Sequence, residues 1–261
     1  MAPRPAPGLI LITGAAGAIG AALARALSSH HAGAHLALTD VDGDGLARVA
    51  APLGARASTW QWDLSRPADL EAAHAALVAA HGPVDLLVNC AGIMDVRTLA
   101  ATPWALGQRI LDVDLISPMR LMNLTAPAMV ARGAGAIVNV SSMAGRVPLR
   151  GCAFYGGSKA GLAMASENVH LELAGSGVHV VTVYPGPVES ALERNAKAQV
   201  PTSRLARLIP TGDPDRLAQL VVRALDRGEP RVVYPPAYAL ADRAIGLATW
   251  FTRRFSPQPL A

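Results

Sequence analysis

The chain has 261 residues, of which 51% are apolar and 16% are charged, so it can bury a sizeable core and a globally disordered protein is excluded. Its net charge of +4 comes from scattered basic residues, which argues against a nucleic-acid-binding protein. The two cysteines, Cys90 and Cys152, lie far apart without metal-ligand spacing, so we expect reduced thiols and no metal site.

The N-terminal stretch reads MAPRPAPG and lacks the apolar region of a signal peptide. No apolar run reaches the ~20 residues that a membrane span requires. We therefore expect a cytoplasmic protein in which residues 1–7 form a flexible tail.

Strand-like and helix-like segments alternate after this tail. In the first part of the chain, the sequence predicts a strand at Leu9–Thr13, a helix over 17–30, strands at His35–Thr39 and Ala57–Gln61, a helix over 67–81 and a strand at Val84–Asn89. A helical stretch over 103–131 follows, interrupted by Pro118 and Pro127. The last predicted elements are a strand at Ala136–Ser141, a helix over 154–174, a strand at Val178–Tyr184 and a candidate strand at Arg231–Tyr234. This alternation predicts an α/β protein, a doubly wound parallel sheet of about seven strands (Rossmann fold) between two layers of helices.

The first predicted strand leads into TGAAGAIG, residues 13–20, which carries three glycines at a spacing of three. Glycine permits positive φ and lets a phosphate approach the backbone, and the N-terminus of the following helix offers free N–H groups. We therefore interpret Gly14, Gly17, Ala18, Ile19 and Gly20 as cofactor-binding residues of a dinucleotide turn. A tight turn made only for packing is the alternative.

Asp40 follows the second predicted strand, 20 residues beyond Gly20. A carboxylate there can accept hydrogen bonds from the adenosine ribose hydroxyls and would repel a 2′-phosphate. No Arg or Lys occurs at residues 15–18 or 41–44 to bind such a phosphate. The sequence therefore predicts NAD rather than NADP as cofactor, with a helix cap or turn residue as the alternative role of Asp40.

Tyr155 and Lys159 are four residues apart and therefore share one face of a predicted helix. A free tyrosine has a pKa of ~10, which a nearby ammonium group lowers. Such a tyrosine can exchange a proton with an alcohol or carbonyl oxygen, and Ser142, after the fifth strand, could donate a hydrogen bond to the same oxygen. Taken alone, such a spacing is more often that of an ordinary surface Tyr–Lys pair.

Taken together, these motifs resemble those of the single-domain branch of the short-chain dehydrogenase/reductase family, over roughly residues 8–235. Asp63-Leu64 resembles its adenine contact, Asn89-Cys90-Ala91-Gly92 its N-N-A-G segment apart from Cys90, and PGPVES (185–190) its P-G-x-V-x-T segment with Ser for Thr. The cofactor-binding residues that the resemblance implies are Asp63, Leu64, Asn89, Ala91, Gly92, Tyr155, Lys159, Pro185, Gly186, Val188 and Ser190.

The resemblance also implies a mechanism, in which hydride passes between nicotinamide C4 and a carbinol carbon. Tyr155 would be the general acid or base, Ser142 would orient the substrate oxygen, and Lys159 would lower the tyrosine pKa and bind the nicotinamide ribose. The family commonly forms dimers and tetramers through its fourth and fifth helices, so a homodimer or homotetramer is expected.

Two positions depart from the family pattern in ways that bear on chemistry. The branch usually has glycine where this chain has Ala18, and the chain places its glycine at Gly17 instead. Asp114, in Val113-Asp114-Leu115, stands where the family has its fourth catalytic residue, an asparagine. A carboxylate there would favour protonated Lys159 and partly cancel the positive field on Tyr155, so we expect retained activity with a raised tyrosine pKa.

After the sixth strand, residues 189–212 are predicted to form a mobile helical lid over the substrate. The expected pocket residues are Met143, Leu149, Pro187 and Leu192. Because these are mostly apolar, a hydrophobic secondary alcohol or ketone is the expected substrate.

Residues 236–261 are expected to form a C-terminal helical extension of the same domain, since apolar residues of the segment 237–255 fall near one helical face. Core packing or a subunit interface is the favoured interpretation. The trailing Arg253-Arg254 would suit a membrane surface.

Two other functions stay open on the same residues. One is an NAD-binding sensor or regulatory protein whose chemistry is weakened by Asp114. The other is a membrane-associated lipid or steroid carbonyl reductase.

Overall fold

All seven strands lie in one parallel sheet of the computed structural model, which describes residues 6–201 and 210–260. The strands are β1 (Leu9–Thr13), β2 (His35–Asp40), β3 (Ala57–Gln61), β4 (Leu86–Asn89), β5 (Gly135–Val140), β6 (Val178–Pro185) and β7 (Arg231–Tyr234). Their order across the sheet is β3-β2-β1-β4-β5-β6-β7. The strand order reverses between β1 and β4, and at such a switch point open α/β sheets bind ligands beyond the carboxyl ends of the strands. The predicted doubly wound sheet is confirmed.

Helices cover both faces of this sheet. The α-helices of the described residues are α1 (Ala18–His30), α2 (Gly43–Ala50), α3 (Leu70–His81), α4 (Trp104–Leu111), α5 (Ser117–Ala131), α6 (Ala153–Glu172), α7 (Ala191–Ala198), α8 (Pro214–Arg227), α9 (Pro236–Arg243) and α10 (Ile245–Phe255). Alternate residues of β1 enter the two cores, because side chains of a strand point to opposite faces. Ile10 and Ile12 pack with α1 and α8, whereas Leu9 and Leu11 pack on the side of α3, α5 and α6.

Two helices were missing from the sequence prediction. Helix α2 lies in a glycine-rich stretch where the helical pattern is weak, and it begins at the Asp42 cap, whose carboxylate accepts a hydrogen bond from the Gly45 N–H. Helix α8 buries Leu217, Val221 and Ala224, at a spacing of four and three. That second pattern is visible in the sequence and was overlooked.

The prolines of the third predicted helical stretch do not break it. The chain stays helical from Trp104 to Ala131, with a π-helical turn at Asp112–Ile116, and Pro127 lies inside α5. In the π-turn the N–H of Ser117 donates to the carbonyl oxygen of Asp112, five residues back. The wider turn accommodates Pro118, which has no N–H to contribute. The predicted interruption is therefore a π-turn before Pro118, and none occurs at Pro127.

The C-terminal segment, predicted as one helix over 237–255, is two helices that meet at Ala244. Helix α9 is fixed to the core by Asp242, which accepts hydrogen bonds from Arg146 at 2.8 Å and from Arg231 at 3.0 Å. The predicted lid contains α7, while its residues 202–209 and most of the predicted N-terminal tail lie outside the described residues.

A buried chain of polar side chains crosses the middle of the sheet. Asn89 of β4 donates to Asn139 of β5 at 2.8 Å, and Asn139 donates to the Ser166 hydroxyl of α6 at 2.9 Å. Thr182 of β6 donates to the same hydroxyl at 2.7 Å. Because buried polar groups need partners, these bonds fix the register of three strands against α6, the helix that also carries Tyr155.

Replacing Asn139 by alanine should lower the free energy of unfolding by about 2 kcal/mol or more, because it removes the 2.8 Å acceptor of the buried Asn89 amide and one of the two donors to Ser166. Urea unfolding followed by circular dichroism measures the change. The matched control is Asn123→Ala on the exposed face of α5, which should change it by less than about 0.5 kcal/mol. Equal effects of the two substitutions would contradict this role of the buried chain.

Candidate active site

A cavity of about 1090 Å³ opens at the carboxyl ends of the strands around the switch point. It extends from the glycine turn after β1 to the C-terminal helices α9 and α10. The predicted site residues that line it are Gly14, Gly17, Ala18, Ile19, Gly20, Asp40, Asp63, Leu64, Ala91, Gly92, Ser142, Met143, Leu149, Tyr155, Lys159, Pro185, Gly186, Pro187, Val188, Ser190 and Leu192. The fold thus brings together groups that are up to 178 residues apart in the chain (Leu192 and Gly14).

The glycine turn has the geometry of a phosphate cradle. Gly14 has a φ of +66°, and a Cβ there would lie 2.6 Å from the Cα of Ala91. A Cβ on Gly20 would lie 2.1 Å from the carbonyl oxygen of Gly14. Gly17 precedes α1 without a capping side chain, and the first turn of α1 carries no acidic residue. The first N–H groups of α1 and its positive dipole end are therefore left for an anion, which fits the pyrophosphate of a dinucleotide.

The far end of the cavity has the polar groups expected around an adenosine. The Asp40 carboxylate accepts hydrogen bonds from the N–H groups of Ala16 at 3.0 Å and Asp42 at 3.1 Å, which fix it beside the turn. Hydrogen bonds from Ser65 lower the pKa of Asp63, which keeps that carboxylate ionised. Arg109 of α4 also lines this end, and no sequence pattern had pointed to it.

Ser142, Tyr155 and Lys159 converge at the other end, next to the segment after β6. Tyr155 and Lys159 share one face of α6, and both side chains are buried. Ser142 follows β5, and its hydroxyl accepts a hydrogen bond from the Ala144 N–H at 3.1 Å. The Lys159 ammonium donates to the carbonyl oxygen of Val140 at 3.1 Å. These contacts place a phenol, a hydroxyl and an ammonium group along one wall of the cavity.

The protein's own groups raise the pKa of Tyr155. Burial is the largest cause, and the negative charge of Asp114 is the next, while a hydrogen bond with Ser142 acts in the opposite direction. The contribution of Asp114 has the sign that the sequence predicted. The lowering by Lys159 that the family resemblance implies is outweighed in this chain, because burial penalises the phenolate and Asp114 offsets the nearby positive charge.

Asp114 lies behind the cavity wall rather than in it. The π-turn points its side chain inward, where it is fully buried, and its Oδ1 accepts a hydrogen bond from the Ile93 N–H at 2.8 Å. Its Oδ2 is 3.6 Å from the Lys159 Nζ and has no hydrogen-bond partner among the described residues. Burial raises the pKa of Asp114 to about 6, although the charge of Lys159 opposes the rise.

Asp114 therefore does not line the cavity and meets it only through Lys159, a correction to its prediction as a catalytic residue. Gly92 leaves space for the ion pair of Lys159 and Asp114, since a Cβ at residue 92 would lie 3.2 Å from the Lys159 Nζ and 3.6 Å from the Asp114 Oδ2.

Asn89 is a second correction. Its side chain is buried in the polar chain across the sheet and also lies 3.4 Å from the carbonyl oxygen of Pro118, so it does not line the cavity. Cys90 and Cys152 do line the cavity. Burial raises the pKa of Cys90 to about 12 and that of Cys152 to about 11, so neither is a reactive thiolate at neutral pH.

The C-terminal helices form a wall of the cavity that the sequence analysis did not assign to the site. Leu240 of α9 and Leu247 and Phe251 of α10 line it, and the ring of Tyr238 packs on Gly186. The end of the chain continues to α7, where the Leu260 N–H donates to the carbonyl oxygen of Gln199 at 2.9 Å. The apolar face of residues 237–255 indicated that this segment packs against another surface, but the sequence did not identify that surface as the cavity.

A parallel sheet with a phosphate cradle at its switch point, next to a buried tyrosine and lysine, defines a nucleotide-dependent oxidoreductase. The family model for the short chain dehydrogenases matches residues 8–201. The chain belongs to the short-chain dehydrogenase/reductase family and is an oxidoreductase with a nucleotide-binding Rossmann fold.

Individual relatives cover most of this chain. The ketoacyl reductase HetN of Nostoc sp. is 32% identical over 227 residues, which are 86% of this chain and 77% of that protein. The D-threitol dehydrogenase of Mycolicibacterium smegmatis is 33% identical, over 81% of this chain and 83% of its own. A short-chain dehydrogenase structure from Sphingobium yanoikuyae in complex with NADPH has a TM-score of 0.79 and 29% identity, over 95% and 96% of the two chains.

Within residues 6–201 and 210–260, no helix combines the length and the apolar character needed to cross a membrane.

Neutralising Asp114 should lower the pKa of Tyr155, because one of the charges that raise it is removed. In Asp114→Asn, the pH at which alcohol oxidation rises and carbonyl reduction falls should move lower by about 1 pH unit. Rate–pH profiles in both directions measure this shift.

The matched control is Asp112→Asn, which removes a charge from the same π-turn at a carboxylate that accepts a hydrogen bond from Gln108. It should leave both profiles in place. An unchanged profile in Asp114→Asn would show that Asp114 does not set the tyrosine pKa.

Proposed function

We propose that this protein is an NAD(H)-dependent oxidoreductase that transfers a hydride between the nicotinamide and a hydrophobic secondary alcohol or ketone. The observation that carries the proposal is the convergence of Ser142, Tyr155 and Lys159 on one cavity wall, beside the phosphate cradle of the same cavity. The cofactor would be held by the glycine turn and the N-terminus of α1, by Asp40 at the ribose, and by Lys159 and the segment after β6 at the nicotinamide.

When bound, the nicotinamide would supply the hydride acceptor or donor. In alcohol oxidation Tyr155 takes the hydroxyl proton, the C–H bond breaks with its electron pair leaving as hydride, and the carbinol becomes a carbonyl. In reduction the Tyr155 phenol returns the proton to the oxygen. Ser142 donates a hydrogen bond to that oxygen, and Lys159 holds a positive charge close to the phenol.

The raised pKa of Tyr155 supports carbonyl reduction as the reaction at neutral pH. A protonated phenol is the form that donates a proton to a carbonyl oxygen. Alcohol oxidation needs the phenolate, and its rate should therefore rise toward alkaline pH.

The lining of the cavity supports an apolar substrate. Met143, Leu149, Pro187 and Leu192 face it from the segments after β5 and β6, and Leu247 and Phe251 face it from α10. Apolar walls with few polar groups favour a hydrophobic molecule held by its shape.

A membrane-associated lipid or steroid carbonyl reductase is a second candidate, since α10 exposes Trp250, Phe251 and Phe255 beside Arg253 and Arg254. Such a helix suits an anionic membrane surface. Co-sedimentation with anionic vesicles distinguishes this candidate from a protein that stays in solution.

A homodimer or homotetramer is supported by apolar side chains on the outer faces of α5 and α6. Met119, Met164 and Leu171 are exposed there, and such residues are often covered by a second subunit. Analytical ultracentrifugation measures the oligomeric state.

The catalytic proposal predicts that Tyr155→Phe lowers kcat by about 10²–10⁴-fold, because it removes the group that transfers the proton. The Kd for the reduced cofactor, measured by fluorescence titration, should change little. The control is Tyr184→Phe, which removes a buried hydroxyl that donates to Glu167 outside the cavity. A Tyr155→Phe enzyme with undiminished kcat would refute the assignment.

The cofactor proposal rests on Asp40 and conflicts with the NADPH bound in the Sphingobium structure. We expect a higher kcat/KM with NAD than with NADP, and a roughly 10-fold or larger fall in that ratio in Asp40→Asn, about 1.4 kcal/mol, because repulsion of a 2′-phosphate is removed. Asp44→Asn, on the exposed first turn of α2, is the matched control. A wild-type preference for NADP would contradict this proposal.

A further inference from the structure

One carboxylate among the described residues stands in the apolar wall of the substrate end of the cavity. Of the carboxylates that line the cavity in the described residues, Asp40, Asp42 and Asp63 lie at the adenosine end, and the remaining one is Glu193. Glu193 belongs to the first turn of α7, and the Ser190 hydroxyl fixes its position by accepting a hydrogen bond from its N–H at 3.1 Å. Its side chain is only 15% exposed.

The two oxygens of this carboxylate have different surroundings. The Oε1 lies 3.1 Å from the Nζ of Lys197, whose side chain is 53% exposed and which also donates to Thr211 at 3.2 Å. Lys197 thus holds the carboxylate from the solvent side. No hydrogen bond to Oε2 is made by the described residues, so none of them competes with a ligand for that oxygen.

Glu193 lines the same cavity as Tyr155 and Tyr238. Its charge contributes to the raised pKa of Tyr155, after burial and Asp114, and it contributes after burial to the rise of the Tyr238 pKa to about 12. Both phenols therefore lie within range of the carboxylate. Burial raises the pKa of Glu193 itself, while Lys197 lowers it.

Lys197 satisfies one oxygen of this largely buried carboxylate, and a buried polar group is more stable when its remaining acceptor is hydrogen-bonded as well. Leu192, the residue before it, shows that an apolar side chain fits on this turn. A substrate that donated a hydrogen bond to Oε2 would satisfy the carboxylate, and a charge-assisted hydrogen bond of this kind is among the stronger ones.

We propose that Glu193 is a specificity-determining residue that accepts a hydrogen bond from the substrate, so that the substrate is an apolar alcohol or ketone with a second hydroxyl or an amino group close to the reacting carbon. The proposal rests on the proposed hydride transfer. It narrows the substrate class from purely hydrophobic molecules to amphiphilic ones with a donor near the carbinol.

The test compares octan-2-ol, octane-2,3-diol and 3-aminooctan-2-ol in the wild type, Glu193→Gln and Glu193→Leu. In the wild type, kcat/KM should be at least about 10-fold higher for the two substrates with a donor. Glu193→Leu should lose that preference when each kcat/KM is expressed relative to octan-2-ol in the same variant, a reference that is needed because loss of the Glu193 charge also changes the pKa of Tyr155. Glu193→Gln should keep the preference for the diol and lose the preference for the amine, because its amide accepts a hydrogen bond without attracting a cation.

Glu189→Gln is the matched control, since Glu189 is exposed on the same segment and does not line the cavity. It should leave every ratio unchanged. An unchanged preference in Glu193→Leu would overturn the proposal, and so would a wild type that does not prefer the donor-bearing substrates.

A second measurement separates this proposal from the proposed hydride transfer. The increase in Tm that each of the three compounds gives in the presence of reduced cofactor needs no turnover. Larger increases for the donor-bearing compounds in the wild type and not in Glu193→Leu, without any turnover with the oxidised cofactor, would support the role of Glu193 and refute hydride transfer from these substrates. Equal increases in both proteins would overturn the role of Glu193.

Discussion

The site is organised around the buried ammonium group of Lys159. An ammonium taken out of water needs partners, and it finds two of them, the carbonyl oxygen of Val140 at the end of β5 and the Asp114 carboxylate of the π-turn. The first contact ties α6 to the sheet, and the second ties it to the helical run that precedes α5. Gly92 leaves the space in which the pair meets. The position of the Tyr155 phenol, one turn earlier on α6, follows from this anchoring.

Much of the fold and site was predictable because their determinants are local. The continuous apolar strands, the glycines of residues 13–20 and the four-residue spacing of Tyr155 and Lys159 are each read over a few residues. A parallel sheet then places the carboxyl ends of all strands at one edge, so residues that follow different strands must meet there. The positions of Asp40, Ser142 and Pro185 at the cavity follow from this rule alone, with no long-range contact needed to predict them.

The remaining features depend on contacts that no short stretch of sequence encodes. The π-turn changes the helical period for one turn, and Asp114, which lies in that turn, meets Lys159 at 3.6 Å. Asn89 carries the expected residue type, but its side chain turns into the sheet because Asn139 and Pro118 offer it partners there. That burial is the largest cause of the raised Tyr155 pKa could not be predicted either, since the sequence shows the neighbouring charges and not the extent of burial.

The carboxylates of Asp114 and Glu193 both raise the pKa of Tyr155, but they lie in different parts of the fold. Asp114 is buried behind Lys159, where no ligand in the cavity can reach it. Its pKa is about 6, so its carboxylate loses its negative charge only in mildly acidic solution. Glu193 lies on α7 at the cavity wall, so a bound substrate can reach it directly. A donor that binds Glu193 would delocalise part of that negative charge and weaken its effect on the phenol. Binding of the substrate to Glu193 would then lower the pKa of Tyr155 from the value that burial and Asp114 give it.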